Sequence, residues 1–175
     1  ADGEISMEAS SELTRSMAQE NRDIKDVMIN PAKPDDPPWK LTQTEARLIT
    51  QARSIYAGGD AKGAVLRYEQ VLKEKPKCIV ALAGLAYIRM EQKYSDEAET
   101  LFRRALSVDE GDAFCLEMLG GILYEQHRFD EALAAFNRSL EQKPDGALCY
   151  NYIGAISQKK GEMAAAEQAF LKAIT

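Results

Sequence analysis

FDEALAAFNRSL, residues 129–140, decides the fold, because the same phrase returns at a fixed interval. Thirty-four residues earlier the chain reads SDEAETLFRRAL (95–106), and thirty-four before that AKGAVLRYEQVL (61–72). Thirty-four residues later it reads MAAAEQAFLKAI (163–174). Aligned, the copies keep a small residue at Ala64, Ala98, Ala132 and Ala166, and an aromatic at Tyr68, Phe102, Phe136 and Phe170. Residues four apart lie one turn on, on the same helix face. The stripe continues through Val71, Ala105, Ser139 and Ala173, then Leu72, Leu106, Leu140 and Ile174.

The period divides the chain into units 45–78, 79–112, 113–146 and 147–175, the last cut short. Each unit has two helix-length halves. The breaks fall at YAGGD (56–60), QKYSD (92–96), QHRFD (126–130) and KKGEM (159–163), where glycines or a Ser/Asp cap suit helix ends and starts. The first helix of each unit carries its own small column at Ala52, Ala86, Gly120 and Gly154. Small side chains let two backbones approach, so these columns mark where the two helices of a unit cross. The aromatic column should fill the space between its own pair and the next. Pro76 and Pro144 end the second helix in two units, and EGD (110–112) does so in another. One helix pair cannot bury its apolar face alone, whereas stacked pairs can, and each interface then needs the same shapes. The expected fold is all-α, a solenoid of antiparallel helix pairs over residues 42–175.

Upstream of the repeats the composition changes. Residues 1–30 are polar, with Leu13, Met17, Ile24, Val27 and Met28 spaced to share one face of a helical arm. Residues 31–41 follow as a Pro-rich linker; NPAKPDDPPW (30–39) contains four of the six prolines, and Trp39 is expected to anchor it on the first packed helix. Thr42 and Glu45 stand in the spacing of a capping box and open the first helix.

The chain has 175 residues and a formal net charge of −6. Residues 1–41 hold nine acids against five bases and the remainder nineteen against seventeen, so most of the acidity lies in the arm. A chain without a basic field is a poor partner for phosphate backbones, so no nucleic acid is expected. No apolar run reaches the length of a membrane span, and no stretch of the sequence reads as a signal peptide. The sequence leaves the compartment open: cytoplasm by default, periplasm or exterior if Ala1 is a mature N-terminus.

The pattern resembles the tetratricopeptide repeat family over about three quarters of the chain. Unit three matches its motif at Leu116, Leu119, Gly120, Ala132, Phe136 and Pro144, and unit two at Leu82, Leu85, Ala86, Ala98, Phe102 and Ala105. Unit one departs at Gln51, and the usual Tyr position holds Ile55, Arg89, Leu123 and Ser157. The resemblance implies a right-handed superhelix whose concave groove, lined by the first helix of each unit, binds a peptide or partner segment without catalysis or cofactor.

Carried onto this chain, the implied groove positions are Ile49, Arg53 and Tyr56 in unit one and Val80, Ala83, Tyr87 and Met90 in unit two. Unit three supplies Phe114, Glu117 and Tyr124, and unit four Leu148, Asn151, Ala155 and Gln158. Aromatics and Met are over-used at binding surfaces. One subgroup of the family clamps C-terminal carboxylates with Lys, Asn and Arg. Here those positions hold Ile49, Arg53, Gly84, Phe114 and Met118, or Ala83, Tyr87, Met118, Leu148 and Tyr152 one unit on. Neither set is a clamp, and the mixed apolar groove suits an extended or helical apolar segment. The architecture also looks like the class II chaperones of type III secretion, which hold apolar translocators.

No catalytic constellation competes with this reading. His127, the sole histidine, lies in a turn. Cys115 and Cys149 share a column about one helix diameter apart, roughly 10 Å, too far for a disulfide. With Cys78 they read as buried apolar residues, and their spacing is not that of a zinc site. Asp96–Glu97 and Asp130–Glu131 open second helices, where they complement the helix dipole. Asn137-Arg138-Ser139 lies mid-helix, which discounts it as a glycosylation triplet. No Gly-rich phosphate loop or HExxH occurs. In the last unit Ala166, Phe170, Ala173 and Ile174 should face outward. Solenoids normally finish with a polar cap, so the sequence suggests that the repeats continue, or that this edge meets a second copy or the arm. A self-associating spacer in a larger protein is therefore the alternative to an adaptor.

Overall fold

Helix formation starts where Thr42 and Glu45 predict it. In a computed structural model, which describes residues 41–174, the Thr42 backbone N–H donates to Glu45 Oε2 at 2.7 Å. The Glu45 N–H donates to Thr42 Oγ1 at 3.2 Å. Two donors left free by the helix start are thereby satisfied. The N-terminal arm, the linker up to Lys40 and the Trp39 anchor lie outside the described residues.

Eight helices follow, with no strand among the described residues. They are α1 (Gln43–Ala57), α2 (Ala61–Glu74), α3 (Ile79–Glu91), α4 (Ser95–Leu106), α5 (Ala113–Glu125), α6 (Phe129–Gln142), α7 (Ala147–Lys159) and α8 (Met163–Ala173). Each odd-numbered helix packs on the helix that follows it, and each of α2, α4 and α6 packs on the next odd-numbered helix. The odd-numbered helices also meet in succession, α1 on α3, α3 on α5 and α5 on α7. No two even-numbered helices pack to that extent among the described residues. A stack whose helices touch on one side and splay on the other must curve. The odd-numbered helices line its inner wall.

The repeated columns make the interfaces. Ala52, Ala64, Ala86, Ala98 and Ala132 are all 0% exposed. A Cβ placed on Gly120 would stand 2.6 Å from the Phe136 ring, and one on Gly154 would stand 2.7 Å from Phe170. The close crossing therefore depends on the missing side chain. Phe136 also stacks on Tyr152 of the next pair, with centroids 5.0 Å apart and planes 9° apart. Tyr68 likewise presses on Gly84 of the pair after its own, where a Cβ would collide with its ring. One aromatic thus closes two interfaces. The buried residues form two clusters, one from α1 to α3 and one from α3 to α7, and Leu72 and Leu101 pack against both. The seam is continuous.

Two local expectations need correction. Ser95, Asp96 and Asp130 do not cap their helices; the cap positions are Tyr94 and Arg128, without a side-chain cap bond. The preceding turns set this register. Tyr94 N–H donates to Arg89 O and Arg128 N–H to Leu123 O, both at 2.9 Å, which starts the helix earlier than the side chains suggest. Asp112, read only as part of a helix terminator, is itself a cap and accepts from the Cys115 N–H at 2.7 Å. At the first break Asp60 caps α2, accepting from the Gly63 N–H at 2.8 Å.

Candidate partner-binding groove

The inner wall contains two pockets built from the same columns. The first, about 520 Å³, lies across α1, α3 and the start of α5. Arg53, Tyr56 and Ala57 supply one side, Val80, Ala83, Gly84 and Tyr87 the floor, and Asp112 and Phe114 the far side. The rings form a path: Tyr56 to Tyr87 at 6.2 Å, Tyr87 to Phe114 at 6.3 Å, and Phe114 to the buried Phe102 at 6.4 Å. Each step falls short of a full period, thirty-one residues and then twenty-seven. Those deficits are one and two helical turns, so the rings keep to one face while shifting along successive helices. Phe114 is 45% exposed, unusually open for a large apolar side chain.

Tyr68 closes this pocket from behind. Burial pushes its hydroxyl pKa up, and the Arg53 guanidinium beside it opposes the shift. Burial also raises the pKa of Tyr56, and the nearby Glu91 carboxylate adds to the rise.

The second pocket, about 430 Å³, is the first one repeated a unit along. In the register of the period, Tyr56, Ala57, Ala83, Gly84, Tyr87, Ile88 and Phe114 become Met90, Glu91, Glu117, Met118, Gly121, Ile122 and Leu148. Lys93, Ser95, Glu125 and Tyr152 complete the lining. Two alanines have become glutamates, so a neutral aromatic hollow is followed by a carboxylate-bearing one. Burial pushes the Glu117 carboxyl up, with Lys143 opposing. Tyr152 is raised by burial first and then by Glu125, Tyr124 and Glu117.

Of the positions expected on the groove, Arg53, Tyr56, Tyr87 and Phe114 line the first pocket, and Met90 and Glu117 the second. Tyr124 lines neither. It packs against Tyr152 at 5.1 Å and Phe129 at 5.7 Å, with the Lys159 ammonium 5.9 Å from its ring centroid. Asn151 is exposed on α7 and lines neither pocket. Gln158 borders a separate concavity of about 440 Å³ at the α8 edge, with Met163, Phe170, Leu171 and Ile174. Sequence reasoning did not assign Glu91, Asp112, Gly121 or Glu125 to the groove, and weighed Gly84, Met118 and Tyr152 only for a carboxylate clamp. Copying the Tyr87 column forward by one period would have found Gly121, and the Ala57 column Glu91 and, a period further on, Glu125.

Other reactive groups are accounted for structurally. Cys78, Cys115 and Cys149 are buried free thiols, and burial raises each pKa, so none is an activated nucleophile. Among the described residues, no group of three or more His, Cys, Asp or Glu could hold a metal ion, and no helix is long and apolar enough to cross a membrane.

Comparison with known proteins agrees with this geometry. Two family models described as tetratricopeptide repeat match, one over residues 56–114 and one over residues 117–175. No curated protein matches. Among solved structures, MamA is similar, with a TM-score of 0.68 at 20% identity, covering 75% of this chain and 77% of that one. PilF of Pseudomonas aeruginosa gives a TM-score of 0.69 at 24% identity, covering 75% of this chain and 60% of that one. The first TPR of Spaghetti (RPAP3), bound to an HSP90 peptide, gives 0.64 at 19% identity, covering 68% of this chain and 94% of that one.

Proposed function

The chain belongs to the tetratricopeptide repeat family, and on that premise we propose that it is a non-catalytic adaptor or scaffold holding a peptide or partner segment against its odd-numbered helices. One observation carries the reading: Tyr56, Tyr87 and Phe114, from three different helices, converge on one pocket while none of them is buried. Folding alone gives no reason to leave such rings open, and rings of this kind serve as anchors in interfaces. That a similar fold, the Spaghetti domain, is bound to a peptide supports a peptide-holding use of this fold here.

The test begins with capture of binding proteins on the immobilised chain, followed by titration of the recovered partner. Tyr87→Ala with Phe114→Ala should weaken that partner by about 30-fold, the loss of roughly 2 kcal/mol expected of a central aromatic anchor. Helicity and oligomeric state should stay as they are. Undiminished affinity in the double variant sinks the groove reading.

A second reading, a self-associating assembly or spacer module, is favoured by the α8 edge, where Met163, Leu171 and Ile174 are 61%, 53% and 81% exposed. Light scattering separates the two. A mass that rises with concentration and falls back on Leu171→Glu supports self-association; a constant monomer mass removes it.

A further inference from the structure

We propose, resting on the groove reading above, that the occupant of the inner wall is a segment with an apolar anchor in the first pocket and a basic side chain in the second. The two pockets are one shape used twice, so the chemistry that differs between them is what selects the occupant. In the first, Ala57 and Ala83 leave the wall neutral between rings, and Arg53 and Asp112 balance in charge. In the second, the equivalent positions are Glu91 and Glu117, with Glu125 beside them. Lys93 is the cation within that lining, which leaves a balance of −2, and Lys143 acts on Glu117 from the end of α6.

The apolar part of the second pocket suits the same guest. Met90, Met118 and Leu148 offer a surface for the methylene stem of an Arg or Lys, and Tyr152 lines the same hollow. Outside the two pockets a cation–ring contact already occurs: Lys159 stands 5.9 Å from the centroids of both Tyr124, at the end of α5, and Phe129, at the start of α6. An acidic segment would meet three carboxylates across a partly desolvated surface, where like charges repel strongly. The spacing also follows. Equivalent points in successive units lie about one helix diameter apart, roughly 10 Å. That span is about three residues of extended chain, or about seven of a helix.

The test uses fluorescein-labelled decapeptides on an alanine–serine background, each with one Phe and, three residues away, Arg, Met or Glu. A second set places the pair seven residues apart. Binding to the whole chain is read by anisotropy. The Phe–Arg peptide should bind at least about tenfold tighter than Phe–Glu, and added salt should narrow the gap. Glu91→Gln with Glu117→Gln should erase that preference and leave Phe–Met unchanged, while Tyr87→Ala should weaken all three peptides together. Equal binding of Phe–Arg and Phe–Glu, or a preference that survives the double Gln variant, overturns the basic anchor but leaves the groove standing. If no peptide binds and Tyr87→Ala has no effect on partner capture, the groove reading falls and takes this inference with it.

Discussion

Lys93 and His127 adopt φ of 67° and 60°, in the column where Gly59 and Gly161 adopt 90° and 80°. One turn geometry therefore recurs four times, with glycine supplied only twice. A side chain in left-handed backbone costs about 1 kcal/mol that glycine avoids. Lys93→Gly should raise the unfolding free energy by about 0.5–1 kcal/mol in urea melts; an unchanged midpoint would show that this turn carries no strain. The glycine at a crossing behaves in the opposite way. A Cβ at Gly120 would stand 2.6 Å from Phe136, which is fully buried and stacked on Tyr152, so the ring has nowhere to move. Overpacking of about 1–3 kcal/mol should outweigh the helix-propensity gain, and Gly120→Ala should lower stability by about 1 kcal/mol net. A more stable variant would refute the crossing argument. The crossing was legible in the sequence because small residue types recur there. The turn was half legible: Lys93 and His127 do not look like glycine, and the caps assigned to Ser95 and Asp130 failed at those two breaks.

At the scale of elements, ion pairs tie α4 to the turn before α6. Arg128 Nη1 donates to Glu99 at 2.9 Å, Arg103 Nη2 donates to the same carboxylate at 2.7 Å, and Arg128 also forks onto Glu131 at 2.8 and 2.7 Å. Burial alone would push the Glu99 carboxyl up, but the hydrogen bonds from Arg103 and Arg128 outweigh it and hold the pKa below the ordinary value. The sign follows. A carboxyl depressed in the folded state contributes stability that is present above its unfolded pKa. That contribution is lost as pH falls through the folded pKa. The melting temperature should therefore drop as pH falls below about 4.5, and Glu99→Gln should flatten that acid limb, its deficit against the parent shrinking toward pH 3. A deficit independent of pH would mean that Glu99 acts by packing rather than charge. Nothing in the repeat exposes this network, since the Glu99 column holds Val65 and Leu133 in neighbouring units. A different device does repeat. Arg104 donates to Pro76 O at 3.5 Å and Arg138 to Glu110 O at 2.8 Å, one period apart on both sides. It was open to a register reading that followed charged columns as well as apolar ones.

For the molecule as a whole, the period was enough to read the stack, because every interface reuses the same shapes. The groove was read less completely. Arg53, Tyr56, Tyr87 and Phe114 line one pocket, and Tyr124, at the last turn of α5, packs on Tyr152 and Phe129. A column states which helix face a residue occupies, not which neighbouring unit claims it. The same nearest-neighbour logic sets how stability is distributed. A pair with neighbours on both sides is stabilised twice, and one with a single neighbour only once. Phe136, between α5 and α7, is 0% exposed, whereas its counterpart Phe170 on α8 is 37% exposed and Ile174 81%. Leaving such side chains open forgoes up to about 1.5–3 kcal/mol each, which corresponds to as much as roughly 100-fold in local opening. Native-state hydrogen exchange should therefore show the amides of α8 least protected among the described helices and those of α3 to α6 most protected. Phe170→Ala should cost much less than Phe136→Ala, for which about 3–5 kcal/mol is expected. Equal protection along the whole stack would mean that the eight helices open as one unit and that the stabilising contacts reach further than adjacent pairs.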